Sequence, residues 1–184
     1  MENIVLWNRP EGSLIDETDR IILGLLQENA RMSNAEIARR LEMAPSAVLE
    51  RIRKLEARGV LQGYEAKVAP RVLGLGMLAF VLVRADERVG SAEVGDRLAA
   101  IPEVQEVHHI AGEDCYLVKL RVQDPEAMGR VLRDRFGAID AVRSTRTTIV
   151  LSTIKETARL PIRDPDEAAA AAPLPPNSTE DVDA

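Results

Sequence analysis

Between Ser33 and Gly59 the chain sets small and hydrogen-bonding residues ahead of cations: Ser46, Ala47 and Glu50 come first, then Arg51, Arg53, Lys54 and Arg58. That order suits contact with a polyanionic duplex. Short polar side chains at the start of a helix can meet base edges, and cations farther along can neutralise phosphates. Arg39 and Arg40, in the segment just before, add two more phosphate candidates. Val48, Ile52 and Leu55 recur at helical spacing and make up the stripe that must be buried. A plain helical hairpin with a solvated basic face has the same periodicity, so the flanking sequence has to decide between the two readings.

The elements that would position these side chains are well marked. Ser33 followed by Glu36 predicts a capping box at the start of one helix, with Ile37, Ala38 and Leu41 on its apolar face. Pro45, whose missing N–H costs nothing at a first helical position, opens the next helix, and Gly59 suits its left-handed end. Upstream, Leu14 to Asn29 predicts a helix capped by Asp16, with Ile21, Ile22, Leu25 and Leu26 at helical spacing. Downstream, Val60, Tyr64, Ala66 and Val68 around Gly63 predict a small hairpin or wing. Three helices and a wing over residues 14–74, behind a flexible leader over 1–13, describe a winged helix-turn-helix.

From Met77 the pattern is strand, helix, strand, strand, helix, strand. The strands are expected at Met77–Arg84, Val104–Ile110, Cys115–Val122 and Val142–Thr153, the helices at Ser91–Ile101 and Pro125–Phe136. This βαββαβ order predicts a four-stranded antiparallel sheet with both helices on one face, a ferredoxin-like second domain over 75–162 in an α+β protein. The runs at 77–83 and 148–151 are almost continuously apolar, which predicts burial on both faces. Two helices cover one face only. A second copy of the sheet is the simplest cover for the other, giving a twofold dimer that would read a roughly palindromic site.

The formal charge of -6 is unevenly spread. Residues 163–184 hold one basic residue against six acidic ones, whereas residues 31–71 hold nine Lys and Arg against five Asp and Glu. The local basic patch that nucleic acid requires is therefore present. The acidic segment, with its alanine run and prolines, is expected to be disordered. One cysteine, Cys115, excludes an intramolecular disulfide, and no Cys/His set has zinc spacing, so no metal or cofactor is expected. No apolar run is long enough to span a bilayer, and a cytoplasmic protein is expected.

The stretches IDETDRIILGLLQENARMSNAEIARRL, LERIRKLEARGVLQGYEAKV and STRTTIVLSTIKETARLPI together resemble the Lrp/AsnC family of leucine-responsive or feast/famine transcriptional regulators. The resemblance implies a DNA-binding domain joined to a domain that dimerises and binds an amino acid or related metabolite. It also implies that dimers assemble further, often into octamers. It places the effector near the loop between the second and third strands and near the last strand. Here that means Gly112, Glu113, Asp114 and Cys115, with Thr145, Thr147 and Thr148. A glycine lets backbone N–H groups approach a carboxylate, and an acidic side chain can pair with an α-ammonium. A plain turn would use the same residues, and strand propensity alone accounts for the threonines.

Two departures from the family pattern stand out. Cys115 occupies the place where many members have an acid before the aromatic of the third strand, and Ala44 replaces the usual serine cap of the recognition helix. His108 and His109 point to opposite faces of a strand and are read as structural. The same two-domain frame occurs in tetrapyrrole decarboxylases, and an architectural DNA-wrapping protein would share its basic patch. The cation-bearing second helix favours a sequence-specific regulator that is not an enzyme.

Overall fold

The computed structural model describes residues 15–88 and 90–162; the expected leader, with Trp7, and the acidic segment lie outside the described residues. The chain divides into two compact units, one of residues 67–156 and the other, among the described residues, of 15–66 with 157–162.

The first unit holds α1 (Glu17–Glu28), α2 (Asn34–Arg40) and α3 (Pro45–Ala57). Asp16 caps α1 in a reciprocal box: its carboxylate accepts from the Asp19 N–H at 2.8 Å, and the Asp19 carboxylate accepts from the Asp16 N–H. Each side chain thereby satisfies a donor that the first turn leaves without an intrahelical partner. Ile22 and Leu26 of α1, Ile37 and Ala38 of α2, and Val48, Ile52 and Leu55 of α3 form one buried cluster. Helical spacing picks out these residues, but it also picks out Ile21, which is exposed, and Leu25 and Leu41, which pack only partly buried against the cluster.

Three local details differ from expectation. Ser33 accepts from the Glu36 N–H at 3.2 Å, but the Glu36 carboxylate turns to Arg39 and Arg40 rather than back to the cap, so only half of the box forms. The turn between α2 and α3 carries Glu42 at φ 53, a left-handed conformation that a side chain disfavours, closed by a Met43 N–H to Ala38 carbonyl bond. Finally, the wing does not form. Val60 and Leu61 fold back on the carbonyl of Leu55 and pack on the helical core, and the chain then runs to Pro70 without a strand. The strand-forming residues there find no ladder partner in the chain, and two short strands alone are marginal in water.

The second unit opens with a single 3₁₀ turn, Pro70–Leu73, and then builds β1 (Met77–Ala85), α4 (Glu93–Ala99), β2 (Val104–His109), β3 (Tyr116–Val122), α5 (Pro125–Val131) and β4 (Val142–Ile149). The sheet is antiparallel with order β2-β3-β1-β4. Helix α5 passes into a wider π turn at Leu132–Phe136. β4 ends at Ile149, opposite Ala79; the Val150 N–H still donates to the Leu78 carbonyl, but β1 begins at Met77, so the expected continuation to Thr153 runs past the end of its partner.

Register assigns the faces. Ala79, Val81 and Val83 lie opposite Leu120, Val118 and Tyr116, and these side chains meet Val94, Leu98, Met128, Val131 and Phe136 in the core. The other face carries Leu78, Phe80 and Leu82 beside Arg121, Lys119 and Leu117, and among the described residues the buried side chains of α4 and α5 cluster with the first face and not with this one. Burial on both faces is thus only partial in the single chain. Phe80 and Leu82 stay half-exposed, while Leu151 and Ile154 beyond β4 are 97% and 94% exposed. The chain's own Glu156 reaches this open face and pairs with both Lys119 and Arg121.

Candidate nucleic-acid interface and effector loop

Helix α3 presents Pro45, Ser46, Glu50, Arg53 and Lys54 on its exposed side, with Ala47 half-buried beside them. The helix starts without a side-chain cap, since Ala44 has none to offer. Lys54 pairs with Glu50 at 2.7 Å across one turn, and this ammonium holds the Glu50 carboxyl below its ordinary pKa. On α2, Arg39 and Arg40 both pair with Glu36, whose carboxyl they lower in the same way. Arg53 is exposed and has no ion pair among the described residues. Such exposed pairs are worth little and exchange readily for a stronger anion.

Arg51 behaves differently. Its guanidinium donates to Asp16 at 2.6 Å and to Asp19 at 2.8 Å, tying α3 to the capped end of α1. Asp16 is held below its ordinary value by the Asp19 N–H and then by Arg51, and Arg51 is raised by its two carboxylates. This side chain is a brace inside the unit. Helical spacing hides it, because the partner carboxylates are over thirty residues away.

The β2–β3 loop turns at Gly112, whose φ of 139 lies in a region that favours glycine. The Ile110 N–H donates to the Cys115 carbonyl, and the Cys115 N–H donates to the Val83 carbonyl, fastening the loop to the end of β1. The Cys115 thiol is half-buried and donates to the Ala85 carbonyl at 3.3 Å. Glu113 is exposed, with no ion pair among the described residues. Asp114 accepts from Arg146 of β4 at 2.9 Å.

Register separates the threonines. Thr145 and Thr147 lie opposite Val83 and Val81, on the helix-side face of the edge strand, while Arg146 and Thr148 lie opposite Leu82 and Phe80 on the open face. The open face and the loop therefore share Asp114 and Arg146, and the other two threonines sit across the sheet. Sequence reasoning missed Arg146, although strict alternation through Thr145, Arg146 and Thr147 is the signal that would have put it beside Thr148.

Behind this loop, Tyr116 is buried and donates to Glu87 at 2.6 Å, and His109 stacks on its ring at 5.0 Å. Glu87 also accepts from the Ser91 hydroxyl and the Val94 N–H. Burial pushes the Glu87 carboxyl up, but these donors outweigh it and leave the group below its ordinary value; burial and Glu87 together push the Tyr116 hydroxyl up. His108, on the open face, meets Glu106 at 3.3 Å. Among the described residues no cluster of His, Cys, Asp and Glu could hold a metal ion, and no helix is long and apolar enough to cross a membrane.

The chain thus joins a three-helix unit, with exposed cations on its third helix, to a βαββαβ sheet. The sequence profile of the AsnC-type helix-turn-helix domain matches residues 15–56, and that of the Lrp/AsnC ligand binding domain matches residues 78–160. The chain belongs to the Lrp/AsnC family. It is 35% identical over 156 residues to the leucine-responsive regulatory protein of Salmonella typhimurium, covering 83% of this chain and 94% of that relative. A Neisseria meningitidis transcriptional regulator solved in complex with L-methionine superposes with a TM-score of 0.75 at 31% identity, covering 80% of this chain and 97% of that one. The feast or famine regulatory protein of M. tuberculosis, also solved with L-methionine, gives a TM-score of 0.72 at 34% identity over 79% of this chain and 97% of that one. The Lrp/AsnC assignment makes the chain a transcriptional regulator whose helix-turn-helix unit binds DNA.

Proposed function

We propose that this regulator reads a specific DNA site with α3 and that an amino acid bound at the second unit changes its DNA affinity. The observation that carries the reading is the exposed side of α3. Ser46 and Ala47 stand at the groove-entering end, Glu50 follows, and Arg53 and Lys54 flank them, all outside the buried stripe. Ser46, Ala47 and Glu50 would face base edges, with Pro45 setting the entry of the helix. Arg39, Arg40, Arg53 and Lys54 would engage phosphates. Arg51 acts here by fixing α3 against α1 rather than by touching DNA.

The effector would be a free amino acid, the ligand class seen in the two methionine-bound relatives, held near Gly112, Glu113, Asp114 and Cys115 and the strand residues Thr145, Thr147 and Thr148. The uncovered apolar face of the sheet supports a homodimer built through it, with octamers as a further assembly. Residues 14–74 would then serve as the DNA-binding domain and 75–162 as the effector and oligomerisation domain, in a cytoplasmic protein that is not an enzyme and needs no metal or cofactor. The catalytic alternative gains no support from the hydroxyl of Tyr116, which is committed to Glu87.

The test is direct. The full chain is used to select duplexes from a random pool, and binding to the winners is followed by fluorescence anisotropy with each of the twenty amino acids. The expected result is tight binding to a two-part site that one or a few amino acids shift severalfold. Equal affinity for selected and random duplexes would overturn sequence-specific reading, and indifference to every amino acid would overturn the effector assignment.

A further inference from the structure

The last described residues of the chain return to its first helix. The Gln27 side chain donates to the Leu160 carbonyl at 3.1 Å and accepts from the Leu160 N–H at 2.7 Å, and Arg159 donates to the Glu28 carbonyl. Ile162 then borders a shallow cleft on α1 with Ile21, Gly24 and Leu25. Residues 160–162 thus run from the C-terminal end of α1 back toward its start, where Asp16 and Asp19 hold Arg51 of α3. The chain leaves this clamp on α1, in the same compact unit as the helix that carries the basic face.

What leaves is acidic. Residues 163–184 bring Asp164, Asp166, Glu167, Glu180, Asp181 and Asp183 against a single Arg163. They lie beyond the match to the ligand-binding profile, which ends at residue 160. We propose that this segment docks on the cationic face of α2 and α3 of its own chain and competes there with DNA phosphates. Arg53 has no ion pair among the described residues, and the side chains of Arg39 and Lys54 are 76% and 61% exposed, so a second anion has room to bind. The 22 residues can reach about 70 Å when extended, while α3 with its 13 residues is only about 20 Å long. Tethered by the strap, the acidic groups act at a high effective concentration without needing strong individual contacts. The charges are opposite, and the partner they exclude is a polyanion.

The proposal rests on the DNA-binding reading, and the experiment separates the two. The full chain is compared with a full-length variant in which the six acids become Asn or Gln (D164N, D166N, E167Q, E180Q, D181N and D183N). The variant is expected to bind a random-sequence duplex about three- to tenfold more tightly at about 50 mM salt, with the gap closing at about 200 mM. Carbodiimide activation, which condenses a carboxylate with an amine and leaves as the urea, should form amides between these acids and Lys54 in the free protein. Added duplex should suppress them. Gln27→Ala, which loosens the strap at constant charge, should reduce those amides and recover part of the affinity gain. Equal affinities at both salts would overturn the proposal, as would amides found only at Lys119 or Lys155. A tighter variant with no Lys54 amide reports net charge alone and overturns it too. If neither protein binds duplex, the DNA reading itself fails.

Discussion

Arg51 and Asp19 join the recognition helix to the first helix through a 2.8 Å ion pair, with the carboxylate 12% exposed and Asp16 sharing the same guanidinium. A cation that looks from its position in α3 like one more phosphate ligand thus pairs, in the free chain, with two carboxylates at the start of the first helix. Arg51→Ala is expected to lower stability by about 1–3 kcal/mol, because it leaves a largely buried carboxylate short of its partner. Thermal melts of the single and double substitutions with Asp19→Asn check this. The double variant should lose less than the sum of the two, and strict additivity would show that the pair contributes nothing.

The exposed cations and the exposed serine should separate by readout. Arg53→Ala should weaken binding to all duplexes alike and reduce the slope of affinity against salt by about one. Ser46→Ala should instead relax the preference at one position of the selected site while leaving random-sequence binding unchanged. Anisotropy across a salt series and a panel of single-base variants distinguishes them.

Two positions in the turn leave stability unclaimed. Ala44 makes no side-chain cap bond, and Glu42 sits at a left-handed φ of 53. Ala44→Asp should gain about 1 kcal/mol by capping α3, and Glu42→Gly about 0.5–1 kcal/mol by relieving the backbone. Chemical denaturation measures both, and the gains should add if the two sites are independent.

Glu87 makes the second unit sensitive to acid. Its folded-state pKa lies below the ordinary value of 4.5, so the stability it contributes is full above that value and is lost as pH falls through the folded pKa. Melting temperature should therefore fall on acidification below about pH 4.5. Glu87→Gln should flatten that part of the curve while lowering the melting temperature near neutrality.

A paired glycine test probes the packing beside Tyr116. A methyl group at Gly95 would lie 2.9 Å from the tyrosine ring, whereas one at Gly24 would meet nothing within 4 Å. Gly95→Ala should cost about 1–3 kcal/mol, and Gly24→Ala should gain about 0.4–1 kcal/mol through helix propensity. Denaturant midpoints check the opposite signs.

Local signals were the legible ones. Asp16 as a cap, Pro45 at a helix start, Gly59 at a helix end and the succession of four strands along the chain depend on neighbours within a few residues, and each is present, although β4 ends at Ile149 and not at Thr153. The pairing of Arg51 with Asp16 and Asp19, and of Arg146 with Asp114, depends on tertiary approach, which periodicity does not encode. The wing failed for the same reason in reverse: Tyr64, Ala66 and Val68 have the propensity for a strand, but a strand exists only where another offers its backbone. Glu36 shows competition at a single side chain, where two arginines on its own helix outbid the backbone donor of the cap.

The bonds from Gln27 to Leu160 also set an order of events at the ribosome. They join residues 133 apart, so the three helices emerge long before the segment that fastens onto them. Through most of synthesis the DNA-binding unit exists without its strap, and it reaches its final form only after β4 has been made. A nascent chain halted before residue 157 should accordingly expose the α1 cleft to chaperones and proteases that the finished protein excludes.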